Sequence, residues 1–475
     1  MSLARLWAFL AIGLPVLAAL IANLSAVDLA YHLRAGGIVL DTGRIPTTDT
    51  FTFTAAGEPW LNQQWGAQVI LATVYRVAGW TGLALLRAVL VGLTFGLLFE
   101  ACRRRGFDLR RAAWLTIAAF VVTAVALALR PQLFGMALLA LTLLIVVERR
   151  AHPRLLWAVP VIVFAWASIH GSFILGPVVL GLAWLEDVHD RVPGRHRLLG
   201  VAVVAAAAAL VNPFGIGVWA YAVGLSTNSF VTSRISEWQP TTLRTIPGIL
   251  FFGSVAVAVL LLVRRGRPPT WPALAWLAVF AAIGTYAIRG VAWWPLGSAV
   301  AIAGVLAARE TSTEAAPAPR RAERSSRLNV VFVGLIVLVC VALVPVWRPI
   351  DSRLGVPVGT VGDAPGGITH ALGKAVRPGD RILNPQPWGS WFELALPQAT
   401  VALDSRIEVF PAAVWDDYDA VHRGTDGWQA ILARWAPTFV VATDDEDAFV
   451  ARLTLTGWTV LYADDDGTIL RRPAS

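Results

Sequence analysis

Long apolar runs recur from one end of this chain to the other, and they fix its class before any single residue does. They lie at roughly 6–24, 80–101, 112–129, 133–147, 155–169, 173–185, 198–211, 247–263, 271–288, 291–308 and 328–346. Crossing the hydrocarbon core takes about 20 apolar residues. These runs therefore predict about eleven membrane helices, some of them short. A soluble chain of 475 residues could not bury a sequence that is 56% hydrophobic and only 15% charged. The class expected is an α-helical polytopic membrane protein. The first run, LWAFLAIGLPVLAALIANLSA, is long enough to span and lacks a small-x-small cleavage site, so it reads as a membrane helix and not as a signal peptide.

The net charge of +8 is unevenly spread. Residues 347–475 hold 11 of the 39 basic and 17 of the 31 acidic residues, leaving 28 basic and 14 acidic residues in 1–346. The excess belongs to the membrane part, where it reports orientation and not a nucleic-acid partner. The connecting segments alternate. CRRRGFDLRR, ERRAHPR, DRVPGRHR, RRGRP and RETSTEAAPAPRRAERSSR are arginine-rich; the 25–79 segment, RPQ, HGS, 212–246 and RG are not. The positive-inside rule makes the first set cytoplasmic. The N-terminus is then cytoplasmic and 347–475 extracytoplasmic, in a plasma membrane. Lys374 is the single lysine, and the Ala, Val, Leu and Gly content points to a GC-rich bacterial genome. Cys102 and Cys340 fall at different depths, so neither a disulfide nor a metal site is implied. TSTEAAPAPRRAERSS (311–326) reads as a disordered linker.

From 347 the sequence becomes acidic and turn-rich. DRILN, TVALDS, TFVVAT, TVLYAD and TILRR alternate with helical stretches, which predicts an extracytoplasmic α/β domain with a partly parallel sheet. The expected division is 1–346, a transmembrane domain with a large first external loop at 25–79, and 347–475. Within that loop, WGAQVILATVYRVAG has the spacing of a helix lying in the membrane interface.

The external segments carry the polar residues of interest. The first loop supplies Asp28, His32, Arg34 and Asp49; the short turns supply Arg130, Gln132, His170 and Arg289; the 212–246 loop supplies Asn212, Glu237 and Trp238. Charges at helix ends are costly unless paired or lining a wet cavity. Arginines with a carboxylate suit an anionic ligand such as a phosphate. Each also has a plain structural reading: Asp28 as a cap, His32 as a hydrogen-bonded core residue, Asp49 and NPFG as turns, the arginines as snorkelling to head groups, Glu237–Trp238 as an interfacial anchor. In the C-terminal domain, NPQPWGSW (with Trp388) and LDSRIE (with Asp404 and Arg406) sit at strand ends, where ligands often bind. There is no P-loop, HExxH, CxxC or GxSxG, and the glycine pair at 36–37 makes no dinucleotide fingerprint.

DLAYHLRAGGIVLDTGRIP just after the first membrane helix, an interfacial helix before the second, and an outer C-terminal domain together resemble the GT-C superfamily of membrane glycosyltransferases. The layout is similar to that of the oligosaccharyltransferase catalytic subunit and of protein O-mannosyltransferases, and the order strand, WGSW, helix, strand, DSR looks like the outer domain of the former. PWGSW lacks the aspartate of that family's acidic tryptophan motif. LRPQLF, HGSF, NPFG, SEWQP and IRG also look like segments of a bacterial group with this layout. The resemblance implies a hexosyl- or pentosyltransferase using a polyprenyl-phosphate-linked sugar, with membrane lipids around it and an envelope glycan, lipid or protein as acceptor. It implies Asp28 as base, with His32 beside it and Asp49 as second choice, and Arg34, Arg130 and Arg289 as charge for the phosphate. A divalent cation, Mg or Mn, is left open. Two other readings stand beside it. One is a lipid-glycan transporter, for which Arg87 is the main intramembrane residue; the other is a non-catalytic scaffold or glycan-binding subunit.

Overall fold

The computed structural model describes residues 1–227, 229–264, 268–307 and 325–473. Most of the 311–326 linker and the arginines at 265 and 267 lie outside the described residues. Seven helices are long and apolar enough to cross a membrane, and four shorter apolar helices bring the described set to the expected eleven. The chain packs as two units, Met1–Ala22 with Ala84–Val344, and Asn23–Leu83 with Pro345–Ser475.

In the first unit, helix Leu3–Ile21 packs on Leu109–Thr123 and Arg327–Ala342, helix Trp271–Tyr286 on Trp294–Ala307, and Arg197–Ala208 on both Ala158–Ala167 and Leu175–His189. Helix Leu175–His189 ends in acidic residues, the unfavourable sign at a C-terminus. Arginines from two other connectors offset this. Arg105 lies 3.0 Å from Glu186, Arg149 lies 2.8 Å from both Glu186 and Asp187, and Arg150 lies 2.6 Å from Asp190. The arginine-rich connectors thus tie helix ends together as well as carrying charge. The 212–246 segment, expected as a loop, contains helices Gly217–Thr227 and Ser229–Arg234.

The second unit differs from the sequence reading, which kept the 25–79 loop with the membrane domain. Here that segment is built into the C-terminal α/β fold. The five-stranded sheet runs in the order Thr400–Val401, Arg381–Leu383, Phe439–Thr443, Gly467–Arg471, Thr459–Asp464. Its first two neighbouring pairs are parallel and the others antiparallel. Beside the edge strand, Phe53 N donates to Val401 O (3.0 Å) and Thr54 Oγ1 to Ala402 O. A second join pairs Leu24–Ser25 with Val361–Gly362 in parallel. The pairing explains why the loop follows the sheet: exposed edge strands seek backbone partners.

Two glycines set the spacing in this unit. A Cβ at Gly36 would lie 2.0 Å from Gln68 O, so the glycine lets helix Ala26–Thr42 meet the following helix. A Cβ at Gly389 would lie 1.8 Å from Leu403 O, which seats the WGSW helix, Gln386–Ala395, on the strand end. The helix that starts at Trp65 breaks at Gly79 (φ 58°, ψ −152°), a conformation that costs glycine least. WGAQVILATVYRVAG is therefore a separate helix, ending where the apolar run begins.

Candidate functional site

Five of the expected residues meet in the first unit. Arg130 sits at the N-cap of helix Pro131–Glu148, with Pro131 at its first turn. Glu237 and Trp238 lie in a short 3₁₀ turn, and Arg289 in another, Ile288–Ala292. Backbone bonds hold these turns together: Ile288 N donates to Gln239 O (3.0 Å) and Thr241 N to Thr285 O (3.2 Å). The result places both arginines on one carboxylate. Arg130 Nη1 is 2.7 Å from Glu237 Oε1, and Arg289 Nη2 is 3.3 Å from Glu237 Oε2. Arg289 also lies over the Trp238 ring at 5.2 Å, and its carbonyl accepts from Gln132 Nε2 (3.3 Å). Two guanidinium groups share one carboxylate, so the trio carries net positive charge. About a quarter of each arginine side chain is open to solvent.

His170 and Asn212 stand in an adjoining hydrogen-bonded group. His170 Nδ1 accepts from Ser172 N (3.1 Å) and lies 2.7 Å from Ser172 Oγ, which also receives Trp166 Nε1 (3.1 Å). Its ring is 6.1 Å from that of Trp293. This group lies close to Gly135, whose Cβ would come within 2.7 Å of Ser172 Oγ and 3.3 Å of Trp293. Asn212 donates to Ser168 Oγ (3.0 Å) and accepts from Phe214 N (3.1 Å), the turn role its NPFG context suggests.

In the second unit, helix Ala26–Thr42 carries Asp28 in its first turn, half-buried, where a carboxylate suits the positive end of the helix dipole. Tyr31 follows one turn later. Burial, then the charges of Asp28 and Glu408, hold its phenol well above the ordinary tyrosine range, with Arg406 pulling the other way. His32 is buried, stacks against Tyr31 at 4.0 Å, and faces Gln68 Nε2 at 3.5 Å. Gln68 in turn exchanges two hydrogen bonds with Asn62 (2.7 and 2.8 Å). Arg34 is half-buried and, among the described residues, pairs with no carboxylate.

Asp49, Asp404 and Arg406 also come together, but deep inside. Arg406 Nη2 is 2.5 Å from Asp49 Oδ1 and also binds Asp404 Oδ2, while Arg406 Nε donates to the same Asp404 oxygen at 2.9 Å. Asp49 further accepts from Phe51 N (3.3 Å), Thr52 N (3.0 Å) and Thr52 Oγ1 (2.6 Å). Both of its oxygens are committed, which withdraws Asp49 as a base. Trp60 and Phe51 pack on the guanidinium at 4.5 and 4.6 Å. Burial disfavours that charge, but the ion-paired Asp404 and Asp49 help to outweigh it and hold the Arg406 pKa above its ordinary value. The three residues form a brace between the first loop and the α/β fold, and all three side chains are buried. Trp388 is half-buried and meets Phe392 edge-on at 6.4 Å.

Sequence reasoning passed over Glu393, which completes the brace. It is buried, and among the described residues neither carboxyl oxygen has a hydrogen-bond donor. Burial, then the Asp404 charge, push its pKa well up. The signal was weak: WFELAL places Glu393 beside Phe392 on a short helix whose buried residues include Gly389, Ser390 and Trp391.

Among the described residues, no group of three His, Cys, Asp or Glu side chains is placed to hold a metal ion.

No family model matches the chain, and no curated protein matches it in sequence. Its fold has solved counterparts. The chain is similar to the crystal structure of ArnT from Cupriavidus metallidurans bound to undecaprenyl phosphate, with 14% identity, a TM-score of 0.53, and 98% of each chain covered. It is similar also to ArnT from the same organism in the apo state, with 15% identity, a TM-score of 0.54, and 97% of this chain and 96% of that one covered. At such identity the likeness speaks for the fold. It bears out the GT-C-like architecture expected from the sequence, an α-helical membrane protein with an added C-terminal sheet.

Proposed function

We propose that this protein is a glycosyltransferase that moves a sugar from a polyprenyl phosphate to a cell-envelope acceptor on the extracytoplasmic side of a bacterial plasma membrane. The observation that carries this reading is the convergence of Arg130 and Arg289 on the single carboxylate of Glu237. It is supported by a fold like that of ArnT, one structure of which is bound to undecaprenyl phosphate. Guanidinium pairs bind phosphate oxygens bidentately and stabilise charge as it develops on a leaving group.

In this reading a general base takes the proton of an acceptor hydroxyl, the role that the sequence resemblance implies for Asp28. The acceptor oxygen forms a bond to the anomeric carbon from the face opposite the phosphate. The bond from that carbon to the phosphate oxygen breaks, its electron pair leaves with the polyprenyl phosphate, and configuration inverts. Arg130 and Arg289 receive the charge that the phosphate gains. The transporter reading loses its main residue, since Arg87 is buried and bonded to the Ala22 carbonyl at the end of the first helix.

The test is reconstituted protein incubated with a panel of polyprenyl-phosphate sugars and followed by mass spectrometry. An Asp28→Asn variant should bind the donor yet transfer about 10²–10⁴ times more slowly, the usual size of a general-base term. Transfer at the wild-type rate would remove Asp28 from the mechanism.

A further inference from the structure

The second unit contains a cavity of about 560 Å³ whose walls come from the end of the Trp65 helix, the 353–356 turn and the WGSW helix. Its volume is in the range of small-molecule sites. Tyr75, Trp80 and Trp391 make the floor. Tyr75 and Trp80 meet edge to face at 5.2 Å, and Trp80 and Trp391 are 6.1 Å apart. The floor is held rigidly: Trp391 Nε1 donates to Thr369 Oγ1 (2.9 Å), which donates to Pro365 O (2.6 Å).

The polar lining is basic in residue type. Arg353, His370 and Lys374 line the cavity and no acidic side chain does. His370 and Lys374 are one turn apart on helix Gly366–Ala375, exposed, and among the described residues neither is in an ion pair. Arg353 also lies within electrostatic reach of Asp466. Basic residues in the last turns of a helix suit its dipole, and aromatic rings fill cores. Neither reason accounts for rings and cations facing one open cavity. Aromatic surface beside the side chains of Lys374, Arg353 and His370 suits an acidic sugar: C–H faces against the rings, anionic groups toward the basic side chains.

We propose that this cavity binds a saccharide carrying carboxylate or phosphate groups. The proposal rests on the second unit alone and not on the transfer reading, so each fails separately.

The experiment uses the full chain in phosphatidylcholine nanodiscs, with trigalacturonate as probe and maltotriose as its neutral counterpart, read by saturation-transfer NMR and thermophoresis. Trigalacturonate should bind. A His370→Ala/Lys374→Ala double variant, checked for an unchanged unfolding midpoint, should weaken it about tenfold. Lys374→Arg should retain it, and Arg76→Ala, at a basic residue outside the cavity, should leave it unchanged. Four results overturn the proposal: no binding of trigalacturonate, equal binding of maltotriose, wild-type affinity in the double variant, or complete displacement by equimolar inorganic phosphate. Loss of the signal in phosphatidylglycerol discs would equally overturn it, assigning the site to a lipid head group.

Discussion

Arg406 and the Arg130–Arg289 pair use the same ions to opposite ends. Arg406 is 1% exposed, surrounded by carboxyl groups that outnumber it, and sandwiched by aromatic rings. Arg130 and Arg289 are about a quarter exposed, and among the described residues both reach the one carboxylate of Glu237. In the first case every favourable contact is internal, so the cluster holds the chain together. In the second, water can reach both guanidinium groups, so an external anion can compete for them. Burial and the count of opposite charges, not the presence of an ion pair, separate the two.

The comparison can be broken most sharply at Arg406. Removing its charge leaves Asp49 and Asp404 buried and uncompensated. Arg406→Met should destabilise the second unit by about 3–5 kcal/mol, seen as a large fall in the unfolding midpoint or loss of folded protein. A midpoint near wild type would show that the cluster is not a brace. Arg130→Ala and Arg289→Ala should do the reverse. The midpoint should hold while transfer falls by about 10²–10³, measured on the same donor panel. A stability loss as large as that of Arg406→Met would make that trio structural too.

The smallest effect concerns pH. Glu393 binds its proton more tightly when folded than unfolded, so above an unfolded carboxyl value of about 4.3 the native state holds more protons. Stability then declines as pH rises, until Glu393 itself ionises in the folded state. The slope from this one proton is at most about 1.4 kcal/mol per pH unit. Midpoints of wild type and Glu393→Gln across that range should diverge by this term, with the variant flatter. Parallel curves would mean that Glu393 is ionised in the fold.

Much of the architecture was legible because it is written locally. Apolar run length gave the helices, and alternating arginines separated the connectors into two kinds. LRPQ, SEWQ and IRG were each marked by one charge in an apolar setting, and three such marks proved to be one cluster. What stayed hidden is long-range. Asp49 in TTDT and Arg406 in LDSR are separated by 357 positions, and both stretches look like turns. Nothing in either says that one neutralises the other. The glycines at 36 and 389 were visible as letters but not as contacts, since only the fold shows which backbone passes 2 Å from a missing Cβ. Helices Gly217–Thr227 and Ser229–Arg234 were missed because, at 11 and 6 residues, both are too short to register as membrane-spanning runs.

The second unit is assembled from an early and a late piece of the chain, with 84–344 made in between. A ribosome delivers the early piece first. From then until residues 400–406 emerge, Asp49 lacks the Arg406 guanidinium and the 51–54 segment has no strand edge to lie beside. The Asp28 helix therefore reaches its final setting only after synthesis of the membrane helices is complete. A chain cut short anywhere after them keeps the residues of its first loop but not the scaffold that holds them.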